Sequence, residues 1–172
     1  ALKAVEDAQV VLMVIDAREG ITDQDMHLLG FILQAGRSLL IAVNKWDGLA
    51  ADHKEAVKKE LSRRLEFLPW ARIHYISALH GTGVGDLFEF IERAHASAFA
   101  RLSSNKLTTL LEKVTTEHQP PQSGRYRAKP RYAHMGGSNP PLIVVHGSRL
   151  EQLPASYVRY LENRFRELLK LE

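Results

Sequence analysis

The chain alternates unbroken apolar runs with stretches of helical periodicity, and this alternation limits the folds that it can adopt. Residues 10–15 are apolar throughout and residues 38–43 nearly so, as expected of parallel strands that are covered on both faces. A shorter strand is predicted at residues 73–76, and a helical stripe follows each of the three runs. The order strand–helix, three times over, predicts an α/β fold with part of a doubly wound parallel sheet.

Capping signals predict where two of these helices begin. Thr22 and Asp25 have the spacing of a capping box, and Asp52 with Glu55 indicates the same for the next helix. Gly36 is placed to end the first of the two. The apolar stripe of the second comprises Val57, Leu61, Leu65 and Leu68.

Polar residues come directly after two of the predicted strands. Asn-Lys-Trp-Asp occupies residues 44–47, and Ser-Ala-Leu occupies residues 77–79. Ligands of open parallel sheets bind beyond the carboxyl ends of the strands, so we expect the two segments to form one site. An Asn/Asp turn that merely closes the strand is the alternative interpretation of residues 44–47.

The side chains at residues 44–47 fit the edge of one base, guanine. An ionised Asp47 is an acceptor only, and it can accept from both the N1–H and the N2 amino group of guanine in a bidentate pair. Adenine has neither donor on that edge, so such a site should reject it. Asn44 can hydrogen-bond the purine N7 edge or tie the loop to its neighbours. Lys45 can lay its methylene stem along the ring face.

Beyond residue 101 both the pattern and the charge change. Residues 1–101 hold 12 Lys/Arg against 14 Asp/Glu, whereas residues 102–172 hold 11 against 6. We therefore expect two modules with that boundary, the second a small α+β domain that favours polyanions; a solvated basic face explains the surplus equally well. The second module is predicted to begin with a helix capped by Ser103 or Ser104, followed by a breaker-rich loop at residues 119–124. An exposed strand at residues 126–135 is expected to pair with a buried strand at residues 142–145. A last helix is predicted after Pro154, with an apolar stripe at Val158, Leu161, Phe165 and Leu168.

Two longer segments are more particular. Residues 130–147 read Pro-Arg-Tyr-Ala-His-Met-Gly-Gly-Ser-Asn-Pro-Pro-Leu-Ile-Val-Val-His-Gly, and residues 154–165 read Pro-Ala-Ser-Tyr-Val-Arg-Tyr-Leu-Glu-Asn-Arg-Phe. With the two short motifs, they resemble the Der (EngA) family of bacterial ribosome-assembly GTPases. The resemblance covers essentially the whole chain. It makes residues 1–101 the later part of a P-loop GTPase domain and residues 102–172 a KH-like domain.

The resemblance implies that the ligand is GTP or GDP, contacted in this chain through guanine alone. The residues carried over are Asn44, Lys45 and Asp47 as guanine readers and Ser77, Ala78 and Leu79 in the adjoining loop. Ser77 would brace that loop, and the Ala78 N–H would donate to guanine O6. The implied partners are the large ribosomal subunit and its rRNA, and Mg²⁺ is expected only in the intact protein.

Two elements of a GTPase are missing from the sequence. It contains neither the Gly-x₄-Gly-Lys-Ser/Thr phosphate loop nor an Asp-x-x-Gly switch motif. Phosphoryl transfer depends on positioning and stabilising the phosphates, so we expect this chain alone to be inactive and to be a C-terminal fragment of a GTPase. The alternative is a non-catalytic RNA- or ribosome-binding module.

The second module also departs from RNA-binding KH domains, because residues 102–172 lack the Gly-x-x-Gly loop that clamps the RNA backbone. The basic residues predicted to contact RNA are Arg125, Arg127, Lys129 and Arg131. They would contact phosphates, with Tyr132 stacking on bases. A solvated or protein-docking strand is the alternative, and His134 and His146 are interpreted as residues of the hairpin face.

Composition excludes several other classes. Cysteine is absent, so no disulfide-linked partner is expected. No apolar stretch approaches the length of a membrane span and no signal peptide is evident, which makes the cytoplasm the expected compartment. The eight histidines are scattered, so no metal site is predicted. Asp16 can cap the turn at residues 16–20 or bind magnesium, and capping is the simpler interpretation.

Overall fold

The chain folds into two compact units. A computed structural model describes residues 2–123 and 125–171. Contacts divide it after Ala98, and the second unit comprises Phe99–Leu171, close to the boundary expected from the charge pattern. Of the predicted segments, Gly124 at the end of the breaker-rich loop lies outside the described residues, as do Ala1 and Glu172.

The first unit is a parallel three-stranded sheet with helices between its strands, which confirms the predicted α/β fold. Its elements are α1 (Leu2–Asp7), β1 (Val10–Asp16), α2 (Asp23–Gln34), β2 (Ser38–Asn44), α3 (Ala51–Arg64), β3 (Ile73–Tyr75) and α4 (Val84–Ala98). The strand order is β1-β2-β3. In the register, Asp16 lies beside Asn44 and Val43 lies beside Tyr75.

Strand β2 is buried on both faces because its side chains alternate between two cores. Leu39, Ile41 and Val43 face the core formed with α2 and α3, whereas Ala42 packs on Leu87 of α4. Only its last residue, Asn44, is partly exposed. The change from apolar to polar sequence at residue 44 therefore marks the edge of the core.

One of the two helix-capping predictions is confirmed and the other is wrong. Thr22 and Asp25 form the complete capping box of α2. Helix α3, by contrast, begins at Ala51 with Ala50 as its cap, and no side chain caps it. Asp52 already lies in the first turn, where its carboxylate accepts from the His53 N–H at 2.9 Å. A carboxylate in the first turn still stabilises the helix, because it interacts favourably with the positive end of the helix dipole.

The second unit packs two helices against an antiparallel hairpin. Its elements are α5 (Ser104–Glu117), β4 (Gln122–Ser123), β5 (Tyr126–Arg127), β6 (Lys129–Gly137), β7 (Leu142–Ser148) and α6 (Ala155–Leu169). Ser103 caps α5 as predicted, by accepting from the Lys106 N–H. The predicted pairing of residues 126–135 with 142–145 appears as the β6–β7 hairpin. The predicted breaker-rich loop contributes β4, which pairs with β5.

Two burial predictions for this unit are wrong. Strand β7 is partly exposed along its length, because helices cover only one face of the hairpin. In α6, Val158 is 41% exposed and the neighbouring Tyr157 is buried in its place. The Tyr157 hydroxyl donates to the His118 carbonyl oxygen at 2.6 Å, so the polar end of the ring is satisfied within the core.

Gly147 lies against the backbone of the paired strand. A Cβ atom there would lie 2.1 Å from the Lys129 carbonyl oxygen, whereas one at Gly137 would meet nothing nearer than the Leu142 Cβ at 3.8 Å. Backbone atoms of a paired strand cannot move aside without breaking the ladder, so we expect Gly147→Ala to destabilise the hairpin by about 2–3 kcal/mol.

Native-state hydrogen exchange of the β6 amides measures this effect directly. Gly137→Ala is the matched control and should change the opening free energy by less than about 0.5 kcal/mol. Equal protection in the two variants would contradict the close approach at Gly147.

Candidate functional site

The two predicted motifs lie side by side at the carboxyl ends of β2 and β3. The Ile76 N–H donates to the Val43 carbonyl oxygen at 2.9 Å, and the Trp46 N–H donates to the Ile76 carbonyl oxygen at 3.1 Å. The ring of Trp46 packs on Tyr75 with centroids 4.2 Å apart. These contacts hold residues 44–47 against residues 77–79, in the crevice where open parallel sheets bind their ligands.

Asn44 joins the two motifs through its side chain. Its Oδ1 accepts from the Lys45 N–H at 2.8 Å and from the Ala78 N–H at 2.9 Å. Of the two roles considered for this side chain, tying the loop to its neighbours is therefore present in the structure. The Nδ2 group is not engaged in these two bonds and has donors to offer a ligand.

Lys45 has a left-handed backbone conformation, with φ of 64°. Only a few residues other than glycine adopt this region, and they cluster at functional sites. The Lys45 ammonium donates to the carboxylate of Asp16, which also accepts from the Arg18 N–H at 2.9 Å. This second contact is the predicted cap of the turn at residues 16–20. The Lys45 hydrogen bond is the largest cause that lowers the pKa of Asp16.

Asp47 lies on a 3₁₀ turn, Trp46–Gly48, and presents a carboxylate that is 38% exposed. The pKa of Asp47 is lowered, chiefly by a hydrogen bond from the Ser77 hydroxyl and further by the nearby charges of His80 and Arg18. Ser77 is only 2% exposed. The lowered pKa favours the ionised carboxylate, which the predicted pairing with two donors requires.

His80 is a member of the site that the sequence did not indicate. Its Nε2 lies 3.1 Å from the Asp47 Oδ2, and its own N–H donates to the Ser77 Oγ at 3.3 Å. The only signal in the sequence is its position directly after residues 77–79. His80 therefore contacts both the Asp47 carboxylate and Ser77.

The loop that carries Ser77 and Ala78 turns back sharply. The Ser77 N–H donates to the Thr82 carbonyl oxygen at 2.9 Å. The turn between them contains Gly81 at positive φ, and Gly83, directly after Thr82, also has positive φ. Leu79 projects from it and is 87% exposed. An apolar side chain so placed is free to cover the face of a bound ring.

The predicted RNA-contacting residues are brought together in part. Arg127, Lys129 and Arg131 line a cleft of about 300 Å³ between α5 and the neighbouring strands. Glu112 of α5 also lines the cleft, and the Arg127 guanidinium donates to the side chain of Gln119. Arg125 is exposed on the turn before β5 and does not line it.

Two features are absent from the part of the chain that the structure describes. No cluster of three or more His, Asp or Glu side chains is arranged to hold a metal ion within residues 2–123 and 125–171. Over the same residues, no helix combines the length and the apolar character needed to cross a membrane.

The fold and the site together define a class. Residues 2–120 match the family described as the elongation factor Tu GTP-binding domain, and the chain belongs to that family. Residues 101–172 match a second family, the KH-domain-like C-terminal domain of EngA bacterial GTPase enzymes. Over its whole length, finally, the chain is similar to part of the bacterial protein GTPase Der, which confirms the resemblance indicated by the motifs.

Three relatives show how far this similarity extends. GTPase Der of Alcanivorax borkumensis is 65% identical over 172 residues, which is 100% of this chain and 36% of that protein. The Der proteins of Hahella chejuensis and a Marinomonas species are 58% and 55% identical over 99% of this chain and 36% and 38% of those proteins. The chain thus spans little more than a third of the length of these relatives.

A solved structure shares the fold. Translation elongation factor SelB from Methanococcus maripaludis, solved in complex with the GTP analogue GPPNHP, superimposes with a TM-score of 0.51. The match covers 60% of this chain and 23% of SelB at 20% sequence identity. At this identity the comparison supports the architecture alone.

Because the Ser77 hydroxyl is the largest cause of the lowered pKa of Asp47, Ser77→Ala should raise that pKa towards its ordinary value. A carboxyl with a lowered pKa stays ionised to lower pH, so the variant should become protonated at a higher pH than the wild type. NMR titration of the Asp47 carboxyl carbon measures the change.

Ser62→Ala, an exposed position on α3, is the control and should leave the Asp47 titration unchanged. A curve for Ser77→Ala that overlays the wild type would show that Ser77 does not hold the carboxylate.

Proposed function

We propose that this chain is the guanine-nucleotide-binding part of a cytoplasmic GTPase that acts in assembly of the large ribosomal subunit. The observation that carries the proposal is the convergence of Asn44, Asp47 and Ala78 at adjoining strand ends. Membership in a GTP-binding family and the similarity to GTPase Der support guanine nucleotide as the ligand.

Each side chain has a role in this proposal. Asp47, held ionised by Ser77, would accept from guanine N1–H and N2–H. The Ala78 N–H would donate to guanine O6, sharing its hydrogen with Asn44 Oδ1, while Asn44 Nδ2 would reach the N7 edge. The Lys45 stem and Leu79 would cover the ring with apolar surface.

The phosphates and their Mg²⁺ would be held by residues other than those described. The sequence has no phosphate loop, and the Asp16 carboxylate is already engaged by Lys45 and by the Arg18 N–H. The contribution of this chain would therefore be the choice of base, while hydrolysis would depend on the rest of the longer protein.

Replacing Asp47 with Asn tests the choice of base. A carboxamide can accept from N1–H and donate to the O2 of xanthine, but it opposes the N2 amino group of guanine with a donor. In the full-length protein we expect Asp47→Asn to weaken GDP binding by at least about 100-fold and to favour XDP. Competition titrations with GDP, XDP and ADP measure the preference.

Asp52→Asn, an exposed carboxylate on α3, serves as the control and should leave the preference for GDP unchanged. Equal affinity of the wild type for ADP and GDP would overturn the proposed function.

A second candidate function is RNA or ribosome binding without catalysis by the second unit. The observation in its favour is the cleft lined by Arg127, Lys129 and Arg131, in a segment with a surplus of basic residues. Arginine and lysine side chains gathered at one cleft can contact successive phosphates of an RNA backbone.

The salt dependence of binding tests this candidate. Each phosphate contact on a single strand contributes about 0.7 to the slope of log affinity against log salt. Replacing Arg127, Lys129 and Arg131 together with Gln should therefore lower the slope for a fluorescent 12-mer of adenylate by about 2. A flat slope for the wild-type chain would favour a protein-docking surface instead.

The matched control replaces three basic residues of α3, Lys58, Lys59 and Arg63, with Gln. This variant loses the same charge in the first unit and should keep the wild-type slope. A similar drop in both variants would indicate a general effect of net charge.

A further inference from the structure

The β6–β7 hairpin has one face that the helices do not cover. Ala133, Met135, Ile143 and Val145 point into the core with α5 and α6. Successive residues of a strand point to opposite faces, so the residues between them lie on the other side. On that side Tyr132 pairs across the strands with His146, and His134 pairs with Val144.

Three rings gather on this uncovered face, and we call Tyr132, His134 and His146 the ring cluster. The His134 and His146 rings are nearly parallel, with an interplanar angle of 11° and centroids 5.0 Å apart. The Tyr132 ring lies 5.7 Å from His134 and 5.9 Å from His146. The three rings therefore form a compact group in which neighbouring rings stack on one another.

The ring cluster is accessible to solvent, and hydrogen bonds do not fully explain the position of the His134 ring. Tyr132 is 44% exposed, His146 is exposed and His134 is half-buried. The buried Nδ1 of His134 has no hydrogen-bond partner among the described residues. Stacking on its neighbours stabilises a polar ring held in this way, and the exposed Tyr132 and His146 are the members that a further ring can reach.

The segment that carries the ring cluster has charges of one sign. Residues 118–150 contain five Lys/Arg and no Asp or Glu. Arg131 directly precedes Tyr132 at an irregularity in the strand register, and Lys129 pairs with Ser148 two residues beyond His146. A ligand of this face must therefore be compatible with nearby Lys and Arg side chains and bind more tightly through a flat apolar surface.

We propose that the ring cluster stacks unpaired bases of a single-stranded RNA, whose phosphates face the basic residues beside it. Base–aromatic stacking tolerates any sequence, because every base has a π-face. Bases in a duplex are stacked and paired already, so a duplex would offer this surface only its backbone. This inference rests on the proposed RNA contact of the second unit and adds to it the site of the bases.

The test measures binding of a fluorescent adenylate 12-mer to the 172-residue chain at several KCl concentrations. Tyr132→Ala should weaken binding about tenfold at every salt concentration and leave the log–log slope unchanged, because no phosphate contact is lost. Tyr132→Phe should bind like the wild type. Phe67→Ala is the control, since Phe67 is a 46% exposed aromatic of the first unit and should have no effect.

A second variant and a circular dichroism spectrum show whether a loss of affinity comes from loss of folding. His146→Ala should give the same loss of affinity, and circular dichroism should show that both variants remain folded. In the wild type, the imidazole C2–H resonances of His134 and His146 should shift when the 12-mer is added, and a 12-base-pair RNA duplex should shift them little.

The outcomes separate the two proposals. If the wild type binds with a steep salt slope but Tyr132→Ala and His146→Ala bind equally well, the ring cluster is not the base site and the phosphate contact stands. Equal binding of duplex and single strand would overturn the ring cluster in the same way. If the wild-type chain binds no RNA at any salt concentration, both proposals fall.

Discussion

The burial of β2 between two parallel neighbours is the constraint on which the first unit depends. Its side chains alternate between two cores, and from Ser38 to Val43 the strand is buried throughout. Even the hydroxyl of Ser38 is satisfied internally, by donating to the Ala94 carbonyl oxygen of α4 at 3.0 Å. A strand fixed in this way cannot change register without exposing one of its cores, so the residue that follows it has a fixed position.

That fixed position explains why a single side chain can organise the site. Asn44 is the first residue of β2 beyond the core, and its Oδ1 reaches backbone donors of its own loop and of the adjoining loop. The second loop also carries Ser77, whose hydroxyl is the largest cause of the lowered pKa of Asp47. Precision at the ligand edge is thus derived from hydrogen bonds to backbone atoms, which are themselves held by a rigid sheet.

The sequence predicted what depends on periodicity and on strong motifs. Local propensity and tertiary packing favour the same structure in three places, and the sequence predicted all three. They are the parallel strands, the capping box of α2 and the hairpin of the second unit. Prediction failed where tertiary contacts decide between neighbours. Val158 and Tyr157 both suit an apolar helix face, and only the His118 carbonyl oxygen, distant in sequence, selects the tyrosine.

Other features were hidden for a similar reason. Helix α3 begins at Ala51 with Ala50 as its cap and no capping side chain, so a capping pattern in the sequence could not locate its start. His80 meets Asp47 across two loops, and residue spacing carries no information on such a contact. The ring cluster likewise depends on cross-strand register, which places His146 beside Tyr132.

The left-handed conformation of Lys45 places backbone strain at the residue whose ammonium holds Asp16. A non-glycine residue in that region costs on the order of 1 kcal/mol, and this strain is present whether or not a ligand is bound. Glycine would relax the backbone and remove the ammonium that holds Asp16. Selection for a more heat-resistant chain would therefore favour changes at residue 45 that remove the contact with Asp16. Position 45 would be a poor choice in any programme that stabilises this domain by relieving backbone strain.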